Sequence, residues 1–317
     1  MIQRFFFAIL FAHGAATLLA QTHWNPPRTP EGKPDLQGVW TNVTITPLER
    51  PRDLGDKAFF TEQEARQYEK QFLDQNNADR RDGGAQADVN RAYNNFWYDR
   101  GTKVVASRRT SLIVDPSDGH IPAMTPEAQK RQADRVAAAR GHQFDGPESR
   151  ALTERCLVWP TAGPPMMPSF YNNNYQIVQA PGYVMVLVEM VHDVRIIPTD
   201  GRAHLPSNIR EWFGDSRGHW EGDTLVVDTT NFTDKNSFRG SDENMKLVEK
   251  FTRTGPDTIL YEFTVNDSSA FTKPWTAQVP MNRIPGPIIE YACHEGNYAM
   301  TGMLAGAREE EKKAGGK

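Results

Sequence analysis

After its first twenty residues this chain has no long apolar run, and cysteine is close to absent, with two in 317 residues. The longest later apolar stretch, residues 183–191, is about half the length of a membrane-spanning helix, which needs about 20 apolar residues. Nothing past residue 20 therefore reads as a membrane span. No Cys-x-x-Cys pair and no helical His-x-x-x-His occurs, so the strong metal-binding spacings are missing. An excess of positive charge is missing too: the net charge of -4 argues against a nucleic-acid partner, which needs a clustered basic surface.

The N-terminus has what the rest lacks. Arg4 precedes an apolar run over residues 5–20 that ends in Leu18-Leu19-Ala20 before the polar Gln21. A basic start, a short apolar middle and a small-residue exit make a secretory signal peptide, cut after Ala20 or Ala16. No cysteine stands near either cut, which argues against a lipoprotein. The mature chain of about 297 residues is thus expected to be soluble, and periplasmic or secreted. In an oxidising compartment Cys156 and Cys293 either form a disulfide or remain two buried thiols, and the compartment favours the disulfide. A Cys293-His294 metal pair is the weaker alternative.

Gly (24) and Pro (22) are frequent enough to favour many turns over long helices. Residues 21–60 read as an extended arm that lays Trp40 and Leu48 on the body. Thr61 with Glu64 forms a capping box opening a helix to about residue 82, with Ala65, Tyr68 and Phe72 at helical spacing. Residues 76–88 read as a loop, and Thr125-Pro126 opens a second, surface helix to about Arg140. From residue 107 the period changes to two. Turn phrases such as Ser117-Asp118-Gly119, Asp200-Gly201, Gly222-Asp223 and Pro256-Asp257 separate successive hairpins.

The expected fold class is mainly β: an antiparallel meander closing into a barrel or folded sandwich, with an N-terminal extended arm and two peripheral helices. The expected organisation is 1–20 signal peptide, 21–106 arm and helix, 107–307 β domain, and 308–317 a charged, disordered tail.

Residues 183–198 read as one long strand, apolar on both faces at its start. Glu189, Asp193 and Arg195 then share one face, and His192 takes the other. Asp193 and Arg195 would form an ion pair, because buried charge must be paired. His192, His204, His219 and His294 each have a carboxylate within four residues, counting Asp193, Asp215, Glu221 and Glu295 among the partners. A histidine beside a carboxylate suits general acid–base chemistry, and several together suit a divalent metal as cofactor. Ser216 in Gly214-Asp215-Ser216-Arg217-Gly218 satisfies Gly-x-Ser-x-Gly literally. The following residues turn into another strand rather than a helix, so the phrase is read as a hairpin turn and not a nucleophile elbow. Aromatics thicken around the same region, Trp220 and Tyr298 among them, as in the lining of a small-ligand pocket. Met166-Met167, set between prolines, suggests a flexible lid.

Three phrases carry a resemblance: Gly32-Lys33-Pro34-Asp35-Leu36-Gln37-Gly38-Val39-Trp40, Trp220-Glu221-Gly222-Asp223-Thr224-Leu225-Val226-Val227, and Tyr291-Ala292-Cys293-His294-Glu295-Gly296-Asn297-Tyr298. Through them the chain resembles a family of exported bacterial proteins without an assigned activity, over nearly all of its mature length. That likeness implies export and a single unit, and no chemistry. Gly38-Val39-Trp40 also resembles the opening Gly-x-Trp of lipocalins, whose Trp plugs one end of a barrel.

The leading expectation is binding of a small apolar or aromatic molecule. Acid–base chemistry would fall to His192, Asp193, His204, Asp215, His219, Glu221, His294 and Glu295, with Arg195, Glu189, Trp220 and Tyr298 as ligand contacts. A metal-dependent hydrolase or lyase using the same histidines is the first alternative. A non-catalytic interaction protein is the second.

Overall fold

The structure, a computed structural model, describes residues 24–90 and 94–315. The signal peptide expected at residues 1–20 lies outside the described residues. The fold is mainly β: ten antiparallel strands form a nearly closed, barrel-like sheet. The strands are β1 (Gly38–Thr41), β2 (Ile113–Asp115), β3 (Asn174–Ala180), β4 (Tyr183–Val188), β5 (Val194–Pro198), β6 (Asp215–Glu221), β7 (Thr224–Thr230), β8 (Lys246–Gly255), β9 (Thr258–Asn266) and β10 (Trp275–Arg283). Their order is β5-β4-β3-β1-β10-β9-β8-β7-β6, with β2 added against β10. The helices are α1 (Glu62–Gln75), α2 (Gly84–Asn90), α3 (Pro126–Ala139) and α4 (Ala299–Gly315).

Period-two sequence makes the sheet. In β9 the inward residues Ile259, Tyr261, Phe263 and Val265 are all buried, while Thr258, Leu260, Glu262 and Thr264 between them keep some exposure. Each such fully buried side chain contributes about 1.5–3 kcal/mol of apolar transfer free energy. Thr61 caps α1 with the expected reciprocal box: its hydroxyl accepts from Glu64 N, and Glu64 Oε2 accepts from Thr61 N at 2.9 Å. α1 ends earlier than the spacing suggests, and part of the expected loop folds as α2.

β5 and β6 are the ends of the sheet and do not pair with each other. Side chains close the seam instead. Arg195 of β5 donates to Ser216 Oγ of β6, and at Gly218 a Cβ would stand 3.0 Å from methyl groups of Ile197 and Thr199. Only glycine lets the two strands approach that closely. At the base of the barrel Trp40 is fully buried, donates its indole N–H to Leu36 O, and lies under the Arg283 guanidinium at 4.4 Å. At the mouth, residues 159–168 descend as a plug. Tyr175 donates to Thr161 O, Asn42 to Met166 O, and Met166 N to the Tyr261 hydroxyl. Met166 and Met167 are therefore buried parts of the plug rather than a lid.

Residues 183–198 are not one strand. β4 and β5 pair with each other as a hairpin, closed by Val188 N to Asp193 O at 2.9 Å. The reversal passes through Val191 (φ 55°) and His192 (φ 41°), both in the left-handed region. A β-branched residue rarely goes there, so nothing in the local composition announces the turn. The register changes with it. Val194 and Ile196 face outward at 49% and 57% exposure, whereas Arg195 and Ile197 face the interior. Likewise residues 215–221 form strand β6, not a turn, and Ser216 points inward.

Residues 308–315 belong to helix α4, where the sequence reads as a disordered tail. Ion pairs three residues apart, Arg308–Glu311 and Glu309–Lys312, span one helical turn and use the charges that suggested disorder.

Candidate functional site

A buried polar network crosses the barrel interior. β8 runs Leu247, Glu249, Phe251 along its inward face, which places one carboxylate among apolar neighbours. Arg195 answers it with a two-pronged ion pair. Its guanidinium reaches Glu249 Oε1 at 2.9 Å and also bonds Oε2, while donating to Ser216 Oγ and Thr229 Oγ1. The Tyr261 hydroxyl donates to Glu249 Oε1 at 2.8 Å and accepts from Met166 N. Burial, together with the adjacent carboxylate, pushes the Tyr261 phenol well above its ordinary range, so it stays neutral. The expected Asp193–Arg195 pair does not form, because the hairpin turns Arg195 into the barrel toward Glu249. Ser216 is buried with its oxygen occupied by Arg195, an environment unsuited to a nucleophile.

Two clefts open near the mouth. The larger, about 850 Å³, lies between α1, the plug and the loop carrying Phe238. Tyr68, Phe72, Trp159, Phe170, Phe213, Phe232 and Phe238 supply its aromatic walls, Pro164, Pro165 and Met167 its floor. Among the described residues, the charged side chains lining it are Arg100 and Arg239. The smaller cleft, about 660 Å³, opens at the seam between β5 and β6, and its lining includes Asp193, Arg195, Asp215, Ser216, Glu211 and Lys235. Phe213 borders both clefts.

The structure scatters the sequence-derived candidates. Asp193, Arg195 and Asp215 meet at the seam cleft. His204 joins them indirectly through Asp215, whose Oδ2 takes the His204 Nδ1 contact at 2.8 Å and the Leu205 N–H, while Arg217 holds Oδ1. His219 lies on the outer face of β6 with Glu221, 3.0 Å away. His192 contacts Tyr291 O, and Glu189 accepts from Asn174 Nδ2 and Ile289 N, so these two grip the C-terminal segment. His294, Glu295 and Tyr298 are exposed in that segment, and Trp220 is half-buried against the core. Among the described residues no three of the His, Cys, Asp and Glu side chains are grouped to hold a metal ion. Cys156 and Cys293 form the disulfide. It ties the segment leading into the plug to the start of the C-terminal region.

The residues missed from sequence are Glu249, Tyr68, Phe72, Arg100 and Arg239. Glu249 had a readable signal, a lone carboxylate at an inward position of an alternating strand. The two arginines had none, since they lie far apart in the chain and come to line one cleft only in the fold.

Asp193 is partly desolvated beside the seam cleft. Burial is the main cause of a carboxyl pKa raised above the usual range, partly opposed by a backbone N–H from Val194 and by Arg195. The folded form thus holds the proton more tightly than the unfolded chain. Its contribution to stability is fully present below the unfolded pKa of about 4 and is lost as pH rises through the folded value. Asp193→Asn is expected to melt above the parent protein at pH 7.5, with the gap closing as pH falls toward about 4. A gap in melting temperature that does not change with pH would refute this assignment.

Comparison with known protein families and with curated proteins finds no match, and the site is read from its geometry alone.

Proposed function

We propose that this protein binds a small, largely apolar or aromatic molecule in the mouth cleft. The observation that carries the reading is the cleft itself: a concavity of about 850 Å³, walled by aromatic side chains and floored by a proline-rich plug. Small-ligand sites range over about 300–1,000 Å³ and combine an apolar lining with few polar groups, as here. The plug is hydrogen-bonded into the barrel through Tyr175, Asn42 and Tyr261, so the floor is set before any ligand arrives. Preorganisation of this kind lowers the entropy cost of binding.

Export belongs to the same reading. The disulfide supports an oxidising compartment, and among the described residues no helix is long and apolar enough to cross a membrane. Titration with the neutral probe N-phenyl-1-naphthylamine tests the binding. Saturable uptake of one probe per chain is expected, with quenching of Trp159 emission, and Phe72→Ala should weaken it about tenfold. Uptake that never saturates, or that ignores Phe72→Ala, would count against the cleft.

A second reading, proton transfer at the seam, is favoured by one observation: Asp193 is desolvated beside the smaller cleft, which shares Phe213 with the mouth.

A further inference from the structure

We infer that the mouth cleft selects a ligand with a single anionic head, a carboxylate or similar oxyanion on a flat aromatic or apolar body. This rests on the binding reading above and names its ligand class.

The chain as a whole is acidic, with a net charge of -4, yet no Asp or Glu lines the mouth cleft and two arginines do. Some arginines elsewhere sit against a carboxylate, as Arg150, Arg195, Arg202 and Arg217 do, and others such as Arg50 and Arg253 are held by carbonyl or hydroxyl oxygens. Among the described residues neither Arg100 nor Arg239 has a carboxylate within ion-pair distance. Arg100 is positioned without being neutralised. Its guanidinium lies 3.9 Å over the Tyr98 ring and donates one N–H to Asn76 Oδ1 at 3.3 Å. Stacking on an aromatic face orients the planar fork and leaves its other N–H groups for a second acceptor, the usual geometry of oxyanion capture by arginine.

Two positive charges without a carboxylate partner at an otherwise uncharged concavity repel a cationic ligand and leave a neutral one without a partner for them. An anion carried on an apolar body meets both features. The body occupies the space between Phe72, Trp159 and Phe238, and the head lies at the arginine-bearing rim. Because the attraction is between charges at a solvent-facing rim, the preference is expected to weaken with salt.

Two probes that share one aromatic body separate the charge from the cavity: 1-anilinonaphthalene-8-sulfonate, an anion, and N-phenyl-1-naphthylamine, its neutral counterpart. The folded, oxidised protein is titrated with each by calorimetry at low and at 0.5 M salt. The anion is expected to bind one per chain, about tenfold more tightly than the neutral probe at low salt, with the advantage shrinking at high salt. Arg100→Gln and Arg239→Gln should each remove most of that advantage and leave the neutral probe's affinity unchanged. Neither substitution breaks an ion pair, and circular dichroism checks that both variants are folded. Equal affinity for the two probes, or an advantage that survives both substitutions, overturns the anion assignment while leaving the cleft as a binding site. Failure of both probes to bind overturns the binding reading and this inference with it.

Discussion

Glu249→Ala is expected to destabilise the fold by about 3–5 kcal/mol. Glu249 is fully buried, and removing it strands the Arg195 guanidinium in the interior with two hydroxyls as its only close partners. A buried charge without a counter-charge costs far more than the pair contributes when intact, because water can no longer solvate it. The Tyr261 hydroxyl loses its acceptor at the same time. Replacing both charges, Arg195→Met with Glu249→Leu, is expected to recover most of the loss, since an apolar pair of similar volume pays no desolvation cost. Guanidinium chloride unfolding of Arg195→Met, Glu249→Leu and the double variant closes a thermodynamic cycle, with Glu249→Ala measured beside them. A single variant within 1 kcal/mol of the parent would mean that water reaches the pair through the seam. The effect extends to the mouth cleft, because Tyr261 holds Met166 N beside its floor.

Removing the disulfide is expected to cost about 5 kcal/mol. Cys156 and Cys293 are 137 residues apart, and closing so long a loop removes about that much chain entropy from the unfolded state. Cys156→Ser with Cys293→Ser avoids leaving a lone thiol, and its unfolding midpoint is compared with those of the oxidised and reduced parent. Matching midpoints in all three would refute a stabilising role. The bond also has a local consequence. Cys156 precedes Trp159 and the plug, while Cys293 follows the segment gripped by Glu189 and His192. Opening it frees one wall of the mouth cleft, so the double variant should also bind the neutral probe more weakly at temperatures where it remains folded.

The barrel was largely legible in the residue pattern. Alternation in β8 and β9, the turn residues between hairpins and the Thr61–Glu64 box all act over a few residues, and the structure contains them. The hairpin between β4 and β5 was not legible, because its reversal uses Glu189, Met190, Val191 and His192, none of them turn-formers. Long-range contacts offset that local strain: Asn174 and Ile289 N hold Glu189, Tyr291 O meets His192, and Met190 is buried in the core. A reversal misread at that point exchanges inside for outside along β5, which is why Arg195 was assigned to Asp193 and its true partner passed over.

The candidate histidines illustrate the same limit. Nearness in sequence put a carboxylate beside each, but strands carry successive side chains to opposite faces and loops separate them further. His219 ended on the outer face of β6, His204 against Asp215 at the seam, and His192 and His294 by the C-terminal segment. The sequence alone determined the mainly-β architecture, the capped helix and the two cysteines available for a bond, because these depend on local periodicity, local hydrogen bonds and composition. The tertiary structure decided which charges are buried together, where the mouth cleft lies and that, among the described residues, its two arginines have no carboxylate partner. Those properties belong to side chains brought together by strand register and loop closure, and no stretch of sequence contains them.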